Sequence, residues 1–215
     1  MFHDGELQKA VLEELTWEPS VTAAHIGVTA KAGVVTLTGH VDTFANKYAA
    51  ERAARRVKGV MAVAEEIEVR LPSETRRGDD EIAAAVIERL AWNVSIPRNA
   101  IKVKVEKGFV TLTGEVHSFY QKEAAQQEVR RLFGVVGVSN QIAIKAMANA
   151  IAIGDDITQA LHRSLFDPNT IKVSAQGGKV RLTGTVHSPY ERRVATAAAW
   201  AAPGATSVEN DLAVI

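Results

Sequence analysis

Hydrophobic residues along the chain fall into two rhythms that alternate, and the alternation occurs three times. Leu7, Val11, Leu12 and Leu15 follow the three-to-four-residue spacing of a helix face. Ile82, Val86 and Leu90 repeat it, as do Ile157, Leu161 and Leu165. Each helical stretch gives way to a period-two alternation, the pattern of a strand with one buried face. The first such strand carries Ile26 and Val28, then Ile101, Val103 and Val105, then Ile171 and Val173. A short glycine-containing turn ("KAG", "EKG", "QGG") follows each time and predicts a hairpin.

The returning strand reads V-x-L-x-G-x-V in every copy: Val35 to Val41, Val110 to Val116 and Val180 to Val186. A second helix is predicted directly behind it. Ser118 with Gln121, and Ser188 with Glu191, have the spacing of capping boxes; Thr43 is the counterpart in the first copy. Pro189 occupies a first helical position, where its missing N–H costs nothing. The inward residues of this helix are small: Ala50, Ala54 and Val57, then Ala125, Val129 and Leu132, then Ala195, Ala199 and Ala202. A last alternating strand closes each copy through Val63, Ile67 and Val69, through Val138, Ile142 and Ile144, and through Val208, Leu212 and Val214.

Glycines lock these copies into one frame. Gly39, Gly114 and Gly184 are 75 and 70 residues apart, with Gly33, Gly108 and Gly178 six residues before them and Gly59, Gly134 and Gly204 twenty after. Gly39, Gly114 and Gly184 share the inward row of their strand, so they are expected to admit a helix backbone at close range. Gly59, Gly134 and Gly204 are expected to end the second helices as C-caps. The fold class that follows is α+β: three tandem α-β-β-α-β units, each a three-stranded mixed sheet with two helices on one face. The boundaries are drawn at residues 1–72, 78–145 and 154–215, with "LPSETRRGDD" read as a loop and the apolar residues of "KAMANAIAIGDD" as packing between units. The third unit is five residues shorter between its first helix and first strand.

Composition narrows the function classes. The chain has 25 Lys+Arg against 25 Asp+Glu, and so lacks the basic excess of a duplex DNA binder. No cysteine is present, which excludes disulfides, thiolate metal sites and cysteine nucleophiles. No apolar run reaches the ~18 residues of a membrane span, and the N-terminus has no signal-type apolar run, so a cytoplasmic, non-transmembrane protein is expected.

The α-β-β-α-β unit, the V-x-L-x-G phrase running into a capped helix, and the glycine followed by a V…V…I-x-V strand together resemble the BON domain, a bacterial domain of osmotically induced and nodulation proteins. The resemblance covers nearly the whole chain as three copies. It implies a non-enzymatic module associated with osmotic and envelope stress and with phospholipid surfaces, and in one cytoplasmic branch with potassium sensing. The envelope members carry signal peptides and the potassium-binding member carries a LysM domain; neither feature is seen in this sequence.

No catalytic residue, metal site or cofactor is expected. His117 and His187 both follow the repeat glycine by three residues, which suits a turn before a helix cap, and no HExxH or paired ligand spacing accompanies them. Ser118 and Ser188 are accounted for as caps, and the dispersed glycines are not followed by a phosphate-loop GKS or GKT. Trp17 and Trp92 each lie 22 residues before a repeat glycine, at the end of a first helix, and Val94 and Ile96 follow Trp92. Tryptophan beside aliphatic residues at a helix end is what an interfacial membrane contact uses. Arg55, Arg56, Arg130 and Arg131 offer electrostatic support for an anionic phospholipid surface. A potassium ion or a protein partner meeting an exposed sheet edge is the alternative, and no specific nucleic acid is expected.

Overall fold

The computed structural model describes residues 4–145, 153–163 and 168–215. The first copy runs α1 (Asp4–Trp17), β1 (Ile26–Lys31), β2 (Val34–Val41), α2 (Phe44–Ala54) and β3 (Ala62–Val69). The second runs α3 (Asp79–Trp92), β4 (Ile101–Glu106), β5 (Phe109–Val116), α4 (Phe119–Val129), β6 (Gly137–Asn140) and β7 (Ala143–Ile144). The third runs α5 (Ile153–His162), β8 (Ile171–Gln176), β9 (Lys179–Val186), α6 (Pro189–Ala201) and β10 (Ser207–Val214). This is the expected α+β order in triplicate.

The central strand of each sheet is the V-x-L-x-G segment. β2 pairs antiparallel with β1 and parallel with β3, and β9 does the same with β8 and β10. The parallel pairing is what the second helix permits, since it carries the chain back across one face. In the second copy the closing strand is broken in two, and both β6 and β7 pair with β5. Asn140 sits at the break. Its side-chain oxygen accepts from the Ile142 N–H at 3.3 Å and its amide donates to the Lys122 carbonyl at 2.9 Å.

In the first copy one core holds Leu7, Val11 and Leu15 of α1, Ile26 and Val28 of β1, Val35, Leu37 and Val41 of β2, Ala50, Ala53 and Ala54 of α2, and Ile67 of β3. Both helices therefore lie on the same face of the sheet. The third copy builds the equivalent core from Ile153, Ile157, Leu161, Val180, Leu182, Ala195, Ala199 and Leu212. Leu12, read as part of the inward face of α1, is instead exposed at its margin. Leu165 and residues 146–152, which include most of the apolar stretch read as packing between units, lie outside the described residues.

The chain forms two compact bodies. One contains Met1–Glu88, Lys104–Val110 and Glu128–Ser139; the other contains Arg89–Val103, Thr111–Gln127 and Asn140–Ile215. In the first body, the Arg130 guanidinium lies over the Tyr48 ring, 3.8 Å from its centroid. In the second, the rings of Phe119 and Trp200 stack with centroids 4.1 Å apart.

The frame glycines act differently from the expectation. Gly39, Gly114 and Gly184 have φ of +105°, +127° and +117°. A Cβ on them would collide with the carbonyl oxygens of His25, Ala100 and Thr170, the residues just before the first strand of each copy. The close neighbour is thus the entry to the adjoining strand, a short 3-10 turn in the first and third copies, and not the second α-helix. Gly59, Gly134 and Gly204 are likewise not helix C-caps: α2, α4 and α6 end at Ala54, Val129 and Ala201, several residues earlier. These glycines form the turn that leads into the last strand. The Gly134 and Gly204 carbonyls press on the hairpin glycines Gly108 and Gly178, where a Cβ would come within 2.6 Å of them. The adjoining bonds from Val136 N–H to Gly108 O (3.0 Å) and from Thr206 N–H to Gly178 O (2.7 Å) fasten that turn to the hairpin.

Acids at the helix starts also have a specific task. Asp79 accepts from the Lys107 and Gly108 N–H groups, both at 2.8 Å, and Asp4 accepts from the Ala32 N–H at 2.9 Å. Each ties its helix to the hairpin turn.

Candidate functional site

The first helices of copies one and two end on solvent-facing tryptophans. Trp17 is 84% exposed and Trp92 is 78% exposed, and Val94 just beyond Trp92 is 101% exposed. The cause is the helical register. Leu7, Val11 and Leu15 face inward on α1, and Ile82, Val86 and Leu90 face inward on α3, which turns the final tryptophan away from the core. Trp17 and Trp92 belong to different compact bodies.

Ile96 is a correction to the predicted contact. It is only 7% exposed and lies in the protein interior, so it cannot meet a surface. Its N–H donates to the Asn93 carbonyl at 3.1 Å, and the Asn93 side chain in turn accepts from the Ser95 N–H at 2.9 Å. This closed turn, pinned by a buried isoleucine, holds Val94 outward. Ile87, on the outer face of α3, is a further exposed aliphatic residue. Its place was implicit in the helix period once Val86 and Leu90 were assigned inward.

Two of the four arginines are also corrected. Arg130 is 7% exposed and packs on Tyr48, so its charge is not presented to a surface. Arg56 is bracketed by Glu14 at 2.8 Å and Glu18 at 2.7 Å and is neutralised. The Arg56 guanidinium, with the Ser20 hydroxyl second, holds the Glu18 carboxyl down at about 2. Arg55 is exposed but pairs with Glu51 at 2.7 Å. Arg131 is exposed.

His117 and His187 are exposed, and their backbones carry the structure. The His117 N–H donates to Gln121 Oε1 at 2.9 Å, and the His187 N–H donates to Glu191 Oε2 at 2.8 Å. The cap serines complete the exchange by accepting from Gln121 N–H at 3.4 Å and from Glu191 N–H at 3.1 Å. A different pair of histidines does meet. His25 and His40 stack with centroids 4.6 Å apart, because the Ile26–Gly39 register sets their neighbours side by side. Among the described residues no group of three or more His, Asp or Glu is placed to hold a metal ion. Glu65 is engaged by Lys47 at 3.0 Å.

Two cavities accompany these features. One, of about 610 Å³, lies in the first body and is lined by Arg70, Arg76, Arg77 and Lys107 among others. The other, of about 510 Å³, lies beside the Phe119–Trp200 stack between α4 and α6. Neither was evident from the sequence, because the lining residues come from segments far apart in the chain. No helix among the described residues is long and apolar enough to cross a membrane.

A family model described as BON domain matches residues 3–70, 78–146 and 152–215. Osmotically-inducible protein Y of Escherichia coli (strain K12) is 27% identical over 146 residues, which covers 66% of this chain and 73% of that protein. Among solved structures, the C-terminal domain of CdsD, a structural protein of the type III secretion system of Chlamydia trachomatis, aligns over 100% of both chains at 16% identity with a TM-score of 0.28. A second CdsD structure aligns over 98% of this chain and 92% of its own, with the same identity and score.

Proposed function

The chain belongs to the BON domain family, and from that membership we propose that it is a non-enzymatic, stress-associated binding protein whose target is an anionic phospholipid surface or a partner held at one. The likeness to an osmotically inducible protein supports the stress association. The observation that carries the surface contact is the end of α3, where Trp92 and Val94 face solvent on a turn held rigid by the buried Ile96. Fixing the loop before contact removes part of the ordering cost of binding. An indole beside an aliphatic side chain suits the interfacial zone of a bilayer, where one end stays wet and the other is buried.

Electrostatic help is modest in this reading. Arg56 and Arg130 are committed within the fold. Arg131, with Arg55 in part, is left to favour an anionic leaflet at about 1 kcal/mol per cation near the surface. Binding is therefore weak, and stronger at low salt.

Vesicle co-sedimentation tests this directly. Wild-type protein is expected to pellet with phosphatidylglycerol-containing vesicles at low salt and not with neutral ones, and Trp92→Ala is expected to stay in the supernatant. Equal behaviour of the two proteins on every vesicle would refute the assignment of the contact to α3.

A further inference from the structure

We infer that the cavity formed by Arg70, Arg76, Arg77 and Lys107 binds a phosphate group. Six charged residues line it: these four cations, and the two acids Glu68 and Asp79. The acids are already used. Glu68 pairs with Arg70 at 2.8 Å, and both oxygens of Asp79 accept backbone N–H groups at the hairpin turn. Arg76, Arg77 and the Lys107 ammonium have no carboxylate partner among the described residues, and with four cations against two acids the concave site carries a net charge of +2.

Two of those charges are also pre-positioned. Arg77 donates to the carbonyls of Glu74 at 2.9 Å and Arg76 at 2.7 Å, and Arg76 donates to the Leu71 carbonyl at 3.2 Å. A carbonyl orients a guanidinium without cancelling its charge, whereas a carboxylate does both. The Arg77 stem is packed as well, since a Cβ on Gly134 would lie 3.0 Å from the Arg77 Cβ. Holding the stem against backbone leaves the head group at the cavity.

The ligand chemistry follows from the donors. Guanidinium forks and an ammonium arriving from separate segments suit the tetrahedral oxygens of a phosphate, and a planar carboxylate would engage a single fork. The volume, about 610 Å³, exceeds that of a phosphate and leaves room for the group that bears it. A soluble phosphate ester and a lipid headgroup share this chemistry. The site is independent of the Trp92 contact, which lies in the other compact body.

The experiment titrates pyrophosphate and, separately, phosphatidylglycerol vesicles into the full chain, its Arg77→Gln and Lys107→Gln variants, and Trp92→Ala. Pyrophosphate binding that weakens about tenfold in each cation variant and is unchanged in Trp92→Ala assigns the site to a free phosphate compound. Vesicle binding that weakens in the cation variants, with no pyrophosphate binding, assigns it to a headgroup. Glu68→Gln frees Arg70 and is expected to tighten whichever ligand binds. Cation variants that fold as the wild type and match it on both ligands would overturn the inference, whatever Trp92→Ala does.

Discussion

The guanidinium of Arg130 lies 3.8 Å from the centroid of the Tyr48 ring, and this pairing joins the end of one copy's second helix to the second helix of the copy before it. A cation–π contact shielded from water contributes up to about 2 kcal/mol, and the arginine stem adds packing of its own. Arg130→Ala is expected to lower stability in urea denaturation by about 1–3 kcal/mol. A double-mutant cycle with Tyr48→Ala should return a coupling energy of about 1 kcal/mol. Strict additivity would show that the two side chains do not act on each other.

Glycine replacements should separate into two classes. Gly39→Ala, Gly114→Ala and Gly184→Ala each add a side chain against a backbone carbonyl at positive φ. Losses above about 2 kcal/mol are expected, since left-handed strain alone costs roughly 1–2 kcal/mol. Gly177→Ala also sits at positive φ but has open space around it, and should lose about 1 kcal/mol. Equal losses in the two classes would remove the carbonyl contact as the reason for the glycine.

The hairpin turn between β1 and β2 has Ala32 at φ +49° followed by Gly33 at φ +81°. Positive φ at both central residues favours glycine or asparagine at the first. Ala32→Gly is expected to raise stability by about 0.5–1 kcal/mol, read as a higher melting temperature. The N–H that Asp4 accepts is kept by this change.

The Glu18–Arg56 pair predicts an acid dependence. The Glu18 carboxyl ionises at about 2 in the fold against an ordinary 4.5, chiefly through its hydrogen bond to Arg56. A depressed folded value means the pair's stabilisation is complete above pH 4.5 and drains away as the pH falls from there through about 2. Arg56→Met should therefore depress the melting temperature at pH 7, and the gap to wild type should close towards pH 2. A constant gap would mean that Arg56 acts through packing alone.

Trp92 and Ile96 lie four positions apart, and their replacement should have opposite consequences. Trp92→Ala removes an exposed ring and should change stability by no more than about 0.5 kcal/mol. Ile96→Ala empties a buried site and should cost about 2–5 kcal/mol. Chemical denaturation of both variants checks the pair, and a large loss in Trp92→Ala would mean that the ring is buried in solution.

The elements were legible because each is written in local periodicity: Leu7, Val11 and Leu15 announce a helix, and Val35, Leu37 and Val41 a strand, with no knowledge of what lies opposite. The repeat glycine was legible as a constraint, but its partner was not. His25 is fourteen residues before Gly39, and only the strand register brings its carbonyl there. Charge was the least readable property. Arg130 and Arg131 are neighbours in sequence, yet one is covered by Tyr48 and the other faces water. The basic cavity was hidden for the same reason, since Lys107 reaches it from a hairpin and Arg76 and Arg77 from a linker.

The contacts of Arg130 and Trp200 set an order on the copies. The two residues hold the same place in the repeat, 70 positions apart like Gly114 and Gly184, and each reaches an aromatic ring on the second helix of the preceding copy. Such a link is directional, and its two halves are unlike. Arg55 fills that place in the first copy, and there it turns back onto Glu51 of its own helix. Exchanging the copies would break both links, so three nearly identical backbones form a sequence that can be read in one direction only.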